Sequence, residues 1–458
     1  MNVNYQRVRI TGRLVTDSDL HLGNGDFAYQ NKKLKNHPDE KFPKYQQICL
    51  DHNNQPYLPA TSLRGLLARF ARLSEVSHYE KLFGKMGENH DDSCAGALRV
   101  HDAPLIGKLD KPILRHHANI DPVTGTTQAH KLFTLSTVSK GHDFDAVFEL
   151  DKVDEDVLQT LLALLASWDG SAQSAIGSGR SKGRGRLIWN CEKIETLTES
   201  ELHDWLSDST EAPLPYQIRN RIAGSKTALN ALPSIELHLF PEHVFLINDP
   251  ERCEPKTVDN PNPPDLVFQR SPDGHAVIPA TSLRGWLRGQ IQRILRTCWY
   301  LEKDEDTLLK DENTILLELF GGEKQQGVIY LDDAVATEQT TGLEQFFNAV
   351  DRSTGGVADT ALYSVQAADC QELICRVSVT MLDKLNSKHR ALLLLVCRDI
   401  LEGDLQLGWG KSRGYGQFRV EMKIDDICIK NWEDLLKYLE KYSYSQNILE
   451  GWMEALHN

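Results

Sequence analysis

The seven residues Pro59-Ala60-Thr61-Ser62-Leu63-Arg64-Gly65 return unchanged as Pro279-Ala280-Thr281-Ser282-Leu283-Arg284-Gly285. Other matches follow in the same order. Leu82-Phe83-Gly84 answers to Leu319-Phe320-Gly321, Gly96–Ala103 to Gly327–Ala334, and Asp121-x-x-Thr124-Gly125 to Asp351-x-x-Thr354-Gly355. The glycine-rich stretches 176–185 and 407–416 close the series. Collinear matches of this kind mark an internal duplication, so the chain folds as two copies of one architecture. The copies run 1–205 and 234–458. Residues 206–233, with three prolines among small polar residues, read as a linker.

Each copy opens with apolar residues alternating with polar ones, Val8, Ile10 and Leu14 in the first and Ile235, Leu237 and Leu239 in the second, the period of a half-buried strand. The repeated heptapeptide begins a helix, with Thr61 or Ser62 as its natural cap. Leu63, Leu66, Leu67 and Phe70 form one apolar face, and Arg64, Arg69 and Arg72 lie on the other. Strands near 97–100 and 144–150, an apolar helix at 154–168 and a last strand at 186–189 follow, and the second copy repeats them. The expected class is α+β, two tandem ferredoxin-like domains.

Composition narrows the function. No run of about 18 apolar residues is present, so no membrane-spanning helix is expected. Nine scattered cysteines without a Cys-x-x-Cys pair argue against a disulfide framework or zinc ribbon and for a reducing, cytoplasmic setting. The net charge of −14 speaks against nucleic acid unless the cations are gathered in one groove.

They are gathered at the glycine-rich stretches. Gly177, Gly179, Gly183 and Gly185 alternate with Arg180, Lys182, Arg184 and Arg186, and Gly408, Gly410, Gly414 and Gly416 enclose Lys411 and Arg413. Glycines allow close backbone approach, and the cations suit a polyphosphate. A tight helix-to-strand turn with solvated cations is the plainer reading. The spacing is neither a P-loop nor a dinucleotide fingerprint. The start of the repeated helix is a second anion candidate, with Arg64 and Arg284 in reach. Asp26 lies in His21-Leu-Gly-Asn-Gly-Asp-Phe27, where a carboxylate between glycines could hold a divalent metal or act on a 2′-hydroxyl; Asn-Gly-Asp is also a turn sequence. The second copy offers Asp249 without the glycines. The hairpin candidates 119–135 and 350–365 carry apolar flanks that could wedge between bases or pack on the neighbouring copy. Lysines 32, 33, 35, 41 and 44 border the proposed groove.

These parts in this order resemble the RAMP superfamily of CRISPR proteins, over nearly the whole chain and twice. The carriers are the heptapeptides, the Thr-Gly hairpins and the terminal glycine loops. The resemblance implies a modified ferredoxin-like, RNA-recognition-type domain with a projecting thumb hairpin. Within the superfamily, the Leu-Phe-Gly and Asp-x-x-Thr-Gly segments look most like backbone subunits of type III effector complexes, and the tandem fusion resembles that of subtype D. The implied partners are a CRISPR guide RNA, a single-stranded target RNA, further backbone subunits, a large polymerase/cyclase-like subunit and small subunits, with no membrane. Guide contacts would come from Thr61, Ser62, Arg64, Gly179, Arg180, Lys182 and Arg184, and from Thr281, Ser282, Arg284, Gly410, Lys411 and Arg413. The thumbs would use Asp121, Thr124, Gly125 and Phe133, and Asp351, Thr354, Gly355 and Tyr363. In active members an aspartate after the first strand supports metal-dependent cutting of target RNA. That position here is Asp26, with magnesium as the metal, and Asp249 is the nearest candidate in the second copy. Three other readings stay open: a scaffold without chemistry, a metal-independent guide-processing nuclease using a histidine near the glycine loop, and a small-ligand enzyme.

Overall fold

The computed structural model describes residues 4–29, 44–85, 93–121, 124, 126–208, 213–219, 234–258, 260–300, 303–322, 324–358, 362–380, 384–442 and 444–457. Gly125 and lysines 32, 33, 35 and 41 lie outside this set. The first repeat runs β1 (Asn4–Thr16), β2 (Gly23–Tyr29), β3 (Lys44–Ile48), α1 (Ala60–Leu73), β4 (Leu98–Val100), β5 (Ile113–Ile120), β6 (Thr127–Thr137), β7 (Asp143–Asp154), α2 (Glu155–Ala166), β8 (Leu187–Thr198) and β9 (Gln217–Arg219). The second runs β10 (Ser234–Pro241), β11 (Leu266–Val267), α3 (Ala280–Trp299), α4 (Glu305–Phe320), β12 (Ile329–Leu331), β13 (Ala334–Ala336), β14 (Thr341–Phe347), β15 (Tyr363–Asp369), β16 (Leu373–Val379), α5 (Ser387–Leu401), β17 (Phe418–Ile424), α6 (Trp432–Lys441) and α7 (Gln446–His457).

The main sheet of the first repeat has the order β9-β8-β1-β7-β4, antiparallel throughout. Without the edge strand β9, this is the fourth-first-third-second order of a ferredoxin-like domain. In the second repeat β10 lies between β17 and β16, and both β12 and β13 pair with β16, which is the same order. Tandem α+β domains are thus the architecture. Each repeat adds a small second sheet: β2-β3-β6-β5 in the first, β11-β15-β14 in the second. By compactness, Met1–Arg115 groups with Phe133–Ala231, and His116–Leu132 groups with Leu232–Asn458. The hairpin segment 116–132, read from sequence as part of the first domain, therefore belongs to the second unit, where His116 Nε2 lies 2.9 Å from Glu251.

The alternation in β1 has its physical reason in the two faces of the sheet. Val8, Ile10 and Leu14 are fully buried with Phe144, Ala146 and Phe148 of β7 under α1 and α2; each such side chain contributes roughly 1.5–3 kcal/mol. The outward residues are ion-paired: Arg7 with Asp151 at 3.3 Å, Arg9 with Glu149 at 3.3 Å, and Arg13 with Glu192 at 2.6 Å. Arg99 also reaches Asp151. Exposed pairs stabilise little, about 0–1 kcal/mol each, but they neutralise the cations of this face. Helices α4 and α7 escaped the sequence reading. The first is started by Asp304, whose side chain accepts from Thr307 N, and the second is tied down by Trp299 Nε1 donating to Leu456 O at 2.7 Å. Among the described residues no helix is long and apolar enough to cross a membrane.

The glycine loops turn inward on themselves at one position each. A Cβ on Gly185 (φ +77°) would overlap the Ile176 carbonyl oxygen, and one on Gly416 (φ +72°) the Leu407 carbonyl oxygen. Backbone strain and overlap together predict that Gly185→Ala destabilises by about 2 kcal/mol or more. Thermal unfolding followed by circular dichroism is expected to show a Tm lowered by at least about 4 °C.

Candidate nucleic-acid interface

The repeated helix start is built differently from the expectation. α1 begins at Ala60 with Pro59 at the cap position, and neither Thr61 nor Ser62 caps it. A carboxylate from elsewhere takes that place: Ala60 N donates to Asp102 Oδ1 at 2.7 Å, and Ala280 N to Asp333 Oδ1 at 2.7 Å. These aspartates belong to the matched stretches GALRVHDA and GVIYLDDA, so the duplication preserves the pair. The helix start already holds an anion of its own. Arg64 also has an internal task. Its guanidinium donates to Leu98 O at 2.5 Å and Phe83 O at 3.0 Å and lies over the Phe83 ring. Arg284 repeats this with Ile329 O at 3.2 Å, Phe320 O and the Phe320 ring. Burial, with Arg288 adding a smaller push, lowers Arg284 to about 10. Both arginines clamp the Leu-Phe-Gly segment to the strand that follows it, which accounts for their presence without RNA. Other cations of the helix face are also paired: Arg72 with Tyr79, Arg293 with Asp404, and Arg296 with Glu312. The Thr61 and Ser62 hydroxyls are left at the surface of the first turn.

Each glycine loop wraps a single 3-10 turn, Arg180–Lys182 or Lys411–Arg413, between glycines in the left-handed region: Gly179 and Gly183, Gly410 and Gly414. The sequence reading expected the loop N–H groups to face a ligand. Several donate internally instead. Ser178 N reaches His21 O at 2.9 Å, Gly185 N reaches Asp19 O at 2.9 Å, and Lys182 N and Arg184 N reach Gly179 O. The second loop copies this, with Trp409 N to Leu246 O and Gly416 N to Val244 O. Side chains, not amides, therefore face outward. Arg180 and Lys182 are half-buried and Arg184 and Arg186 buried, whereas Lys411 and Arg413 are exposed.

His21 joins the first loop to Asp26. Its Nδ1 lies 2.7 Å from Ser136 O, which can only accept, so Nδ1 carries the proton of the neutral ring. Burial lowers its pKa, and nearby Arg184 lowers it further. This is the histidine beside the glycine loop, and at 3% exposure it is a clamp within the protein. Asp26 follows five residues on, in an exposed bulge of β2 where the register against β3 shifts between Gly23 and Phe27. The expected loop is thus a strand edge. Asp26 accepts from Asn24 Nδ2 at 2.5 Å and donates its own N–H to Asn24 Oδ1 at 3.0 Å. Exposed Phe27 and Tyr29 flank it, with Lys44 3.6 Å from the Phe27 ring centroid.

Among the described residues the second repeat has no counterpart of β2. Pro250 has no N–H for a ladder, and Asp249 caps the short 3-10 helix Pro250–Arg252, accepting from Glu251 N at 3.2 Å with Arg252 3.5 Å away. Counted from the shared carbonyl, His21 or Leu246, the register of Asp26 falls on Glu251, which His116 engages. Asp249 is thus a structural cap, not the equivalent of Asp26.

In the hairpins, the Asp-x-x-Thr-Gly segments are turn formers. Asp351 Oδ1 accepts from Ser353 N and Thr354 N at 2.8 Å each, which hold its carboxyl below the usual range, and Gly355 N reaches Asp351 O. Asp121 accepts from Thr124 N at 3.0 Å. The exposed apolar residues are Ile120, Leu132 and Phe133 in the first hairpin, and Phe346, Val350, Val357 and Leu362 in the second. Tyr363 stands at the base of its hairpin, hydrogen-bonded by Arg413 of the glycine loop.

A model of the RAMP superfamily matches residues 13–188 and again 224–419. The chain belongs to the RAMP superfamily. No curated protein matches it. The two matched regions make it a tandem RAMP protein, and the geometry above is that of two RAMP domains whose loops have diverged.

Among the described residues no group of three or more His, Cys, Asp or Glu could hold a metal ion. The donors at Asp26 are its carboxylate and the Asn24 amide oxygen. Asn24 Nδ2 already donates to that carboxylate and the Asn24 oxygen accepts from Asp26 N, so the Asp26 carboxylate is the charged oxygen ligand on offer there. Sequence reasoning missed Asp102 and Asp333, although both sat in matched stretches, because a cap supplied across some 40 residues leaves no local spacing signal. It also missed the His21 clamp.

Three outcomes are expected. Asp102→Ala costs about 1 kcal/mol and Arg64→Lys, which cannot span two carbonyls, about 2 kcal/mol, both read by denaturant unfolding. For His21, folding favours the neutral ring, so its contribution is full above about pH 6.5 and is lost as pH falls below that value. His21→Asn keeps the donor to Ser136 without titrating, and its stability is expected to fall less than that of the wild type between about pH 7 and pH 5.

Proposed function

We propose that this tandem RAMP protein is the guide-RNA-binding backbone subunit of a type III CRISPR effector complex, in the fused form of subtype D, and that its first domain cuts the bound target RNA. One observation carries the reading. The glycine loop with its cationic turn is rebuilt in both repeats on the carbonyl that ends the first-strand segment, and in the first repeat that segment runs directly into the exposed Asp26 bulge.

The loop cations Arg180, Lys182, Lys411 and Arg413 would meet guide phosphates, a contact that reads charge and shape while base pairing supplies sequence. The net charge of −14 is compatible with this because binding depends on the charge of one groove and not on the total. Gly65 and Gly285 add support. Each is an exposed interior helical residue with open space where its Cβ would be. Glycine there costs a helix about 1 kcal/mol relative to alanine, and no internal contact requires it. An RNA backbone passing over the first turn, beside Thr61 and Ser62, supplies the reason. The exposed apolar flanks of both hairpins would displace bases along the duplex.

In cutting, the 2′-oxygen of the target attacks the adjacent phosphorus, the P–O5′ bond breaks, and a cyclic phosphate and a 5′-hydroxyl result. Asp26 would hold magnesium together with phosphate oxygens, and the ion would stabilise charge at the phosphate. Phe27 and Tyr29 lie beside Asp26, where they could fix the flanking bases. Further backbone subunits, a large polymerase/cyclase-like subunit and small subunits complete the complex, and the setting is the cytoplasm.

The test is target-RNA cleavage by the reconstituted complex. Asp26→Ala and EDTA are each expected to lower cleavage by about 100-fold or more, with RNA affinity kept. Cleavage unchanged by Asp26→Ala removes the catalytic assignment, and cleavage that resists EDTA points to metal-independent processing. In a separate measurement, Gly65→Ala is expected to raise thermal stability while weakening guide binding several-fold.

A further inference from the structure

The two glycine loops share a backbone but not a surface. Register is fixed by the shared hydrogen bonds, so Ser178, Lys182 and Arg184 of the first loop correspond to Trp409, Arg413 and Tyr415 of the second. The turn cations are common to both, and the second loop adds two aromatic rings, Trp409 and Tyr415, in place of Ser178 and Arg184. Trp409 and Tyr415 meet edge to face at 5.3 Å, and Phe347 lies 5.6 Å from Trp409. Phe347 and Tyr363, paired across β14 and β15, stack at 5.3 Å with 15° between their planes. The exposed guanidinium of Arg413 lies 5.1 Å from the Trp409 ring centroid, 5.6 Å from that of Phe347 and 5.7 Å from that of Tyr363.

Two features show that this cluster is not an ordinary piece of core. Phe347, Tyr363 and Trp409 are only partly buried, and the cation among them faces solvent. The Tyr415 hydroxyl, on a residue only 4% exposed, is buried with no hydrogen-bond partner. An unmet buried hydroxyl is costly. Flat rings beside a guanidinium plane are the chemistry that holds an unpaired base by stacking.

We infer that Trp409, Arg413 and Tyr415, with Phe347 and Tyr363, form a stacking site for an unpaired RNA base at the second glycine loop, beside the phosphate contacts that both loops make. This rests on the RNA-binding reading above. The site divides the two repeats by task. Loop one is sensitive to backbone charge and loop two to the presence of a base.

The test uses the full chain and two fluorescent single strands of equal length, oligouridylate and the corresponding abasic ribose-phosphate oligomer, with affinity read by anisotropy. Trp409→Ala is expected to weaken oligouridylate about tenfold and to leave the abasic strand unchanged. Trp409→Phe, which keeps a ring, is expected to retain most of the affinity, and Lys182→Ala to weaken both strands alike. The inference is overturned if Trp409→Ala affects both strands equally or neither, or if Trp409→Phe, folded by circular dichroism, loses as much as Trp409→Ala. Failure of the wild-type chain to bind either strand overturns the RNA-binding reading itself, and this inference with it.

Discussion

One hydrogen bond per repeat organises everything near the candidate site. The carbonyl at the end of the first-strand segment, His21 or Leu246, accepts from the second residue of the glycine loop, Ser178 or Trp409. A second bond, from Gly185 to Asp19 or from Gly416 to Val244, holds the other side of the loop. Both loop ends are thus seated on the same short stretch of chain. Gly177, Gly185, Gly408 and Gly416 sit where a Cβ would overlap a backbone carbonyl oxygen, so each loop packs closely onto that seat. The position of the cationic turn relative to the Asp26 bulge follows from this.

The same economy of internal contacts decides where a polyanion could bind. A chain with 65 acidic and 51 basic side chains cannot attract RNA by its total charge. Here Arg7, Arg9 and Arg13 of the open sheet face are matched to carboxylates, and Arg64, Arg72, Arg293 and Arg296 of the repeated helices to carbonyls, a tyrosine hydroxyl or carboxylates. What faces outward near the site is a short list: the loop cations, the first turn of the repeated helix with its glycine, and the apolar edges of the hairpins.

Where the repeats depart from each other, the departures fall at the site and not in the framework. The sheet order, the arginine clamp and the aspartate at the helix start are the same in both. The strand bearing Asp26 is replaced in the second repeat by a proline-initiated 3-10 turn, and the residue at the register of Asp26 is engaged by His116. The second loop keeps its turn cations, Lys411 and Arg413, and sets Trp409 and Tyr415 where the first has Ser178 and Arg184. A duplicated fold in which the core is held and the loops diverge is what different local tasks would produce.

The sequence by itself determined the duplication, the α+β class and the main elements, because apolar periodicity and identical motifs are local quantities. The buried face of α1 at Leu63, Leu66, Leu67 and Phe70 was legible for that reason. Strand ends were less so: β8 continues past Trp189 to Thr198, where Glu192 pairs with Arg13 of β1 and Lys193 with Glu195 of its own strand, which gives no apolar rhythm. The roles of single polar residues were decided only by tertiary structure. Arg64 looked like a phosphate ligand until its carbonyl partners, 19 and 34 residues away, were in place. Asp26 and Asp249 looked alike until one proved to lie on an exposed strand edge and the other to cap a turn. A charged side chain acquires its task from whatever the fold sets within about 3 Å of it, and no spacing along the chain encodes that distance.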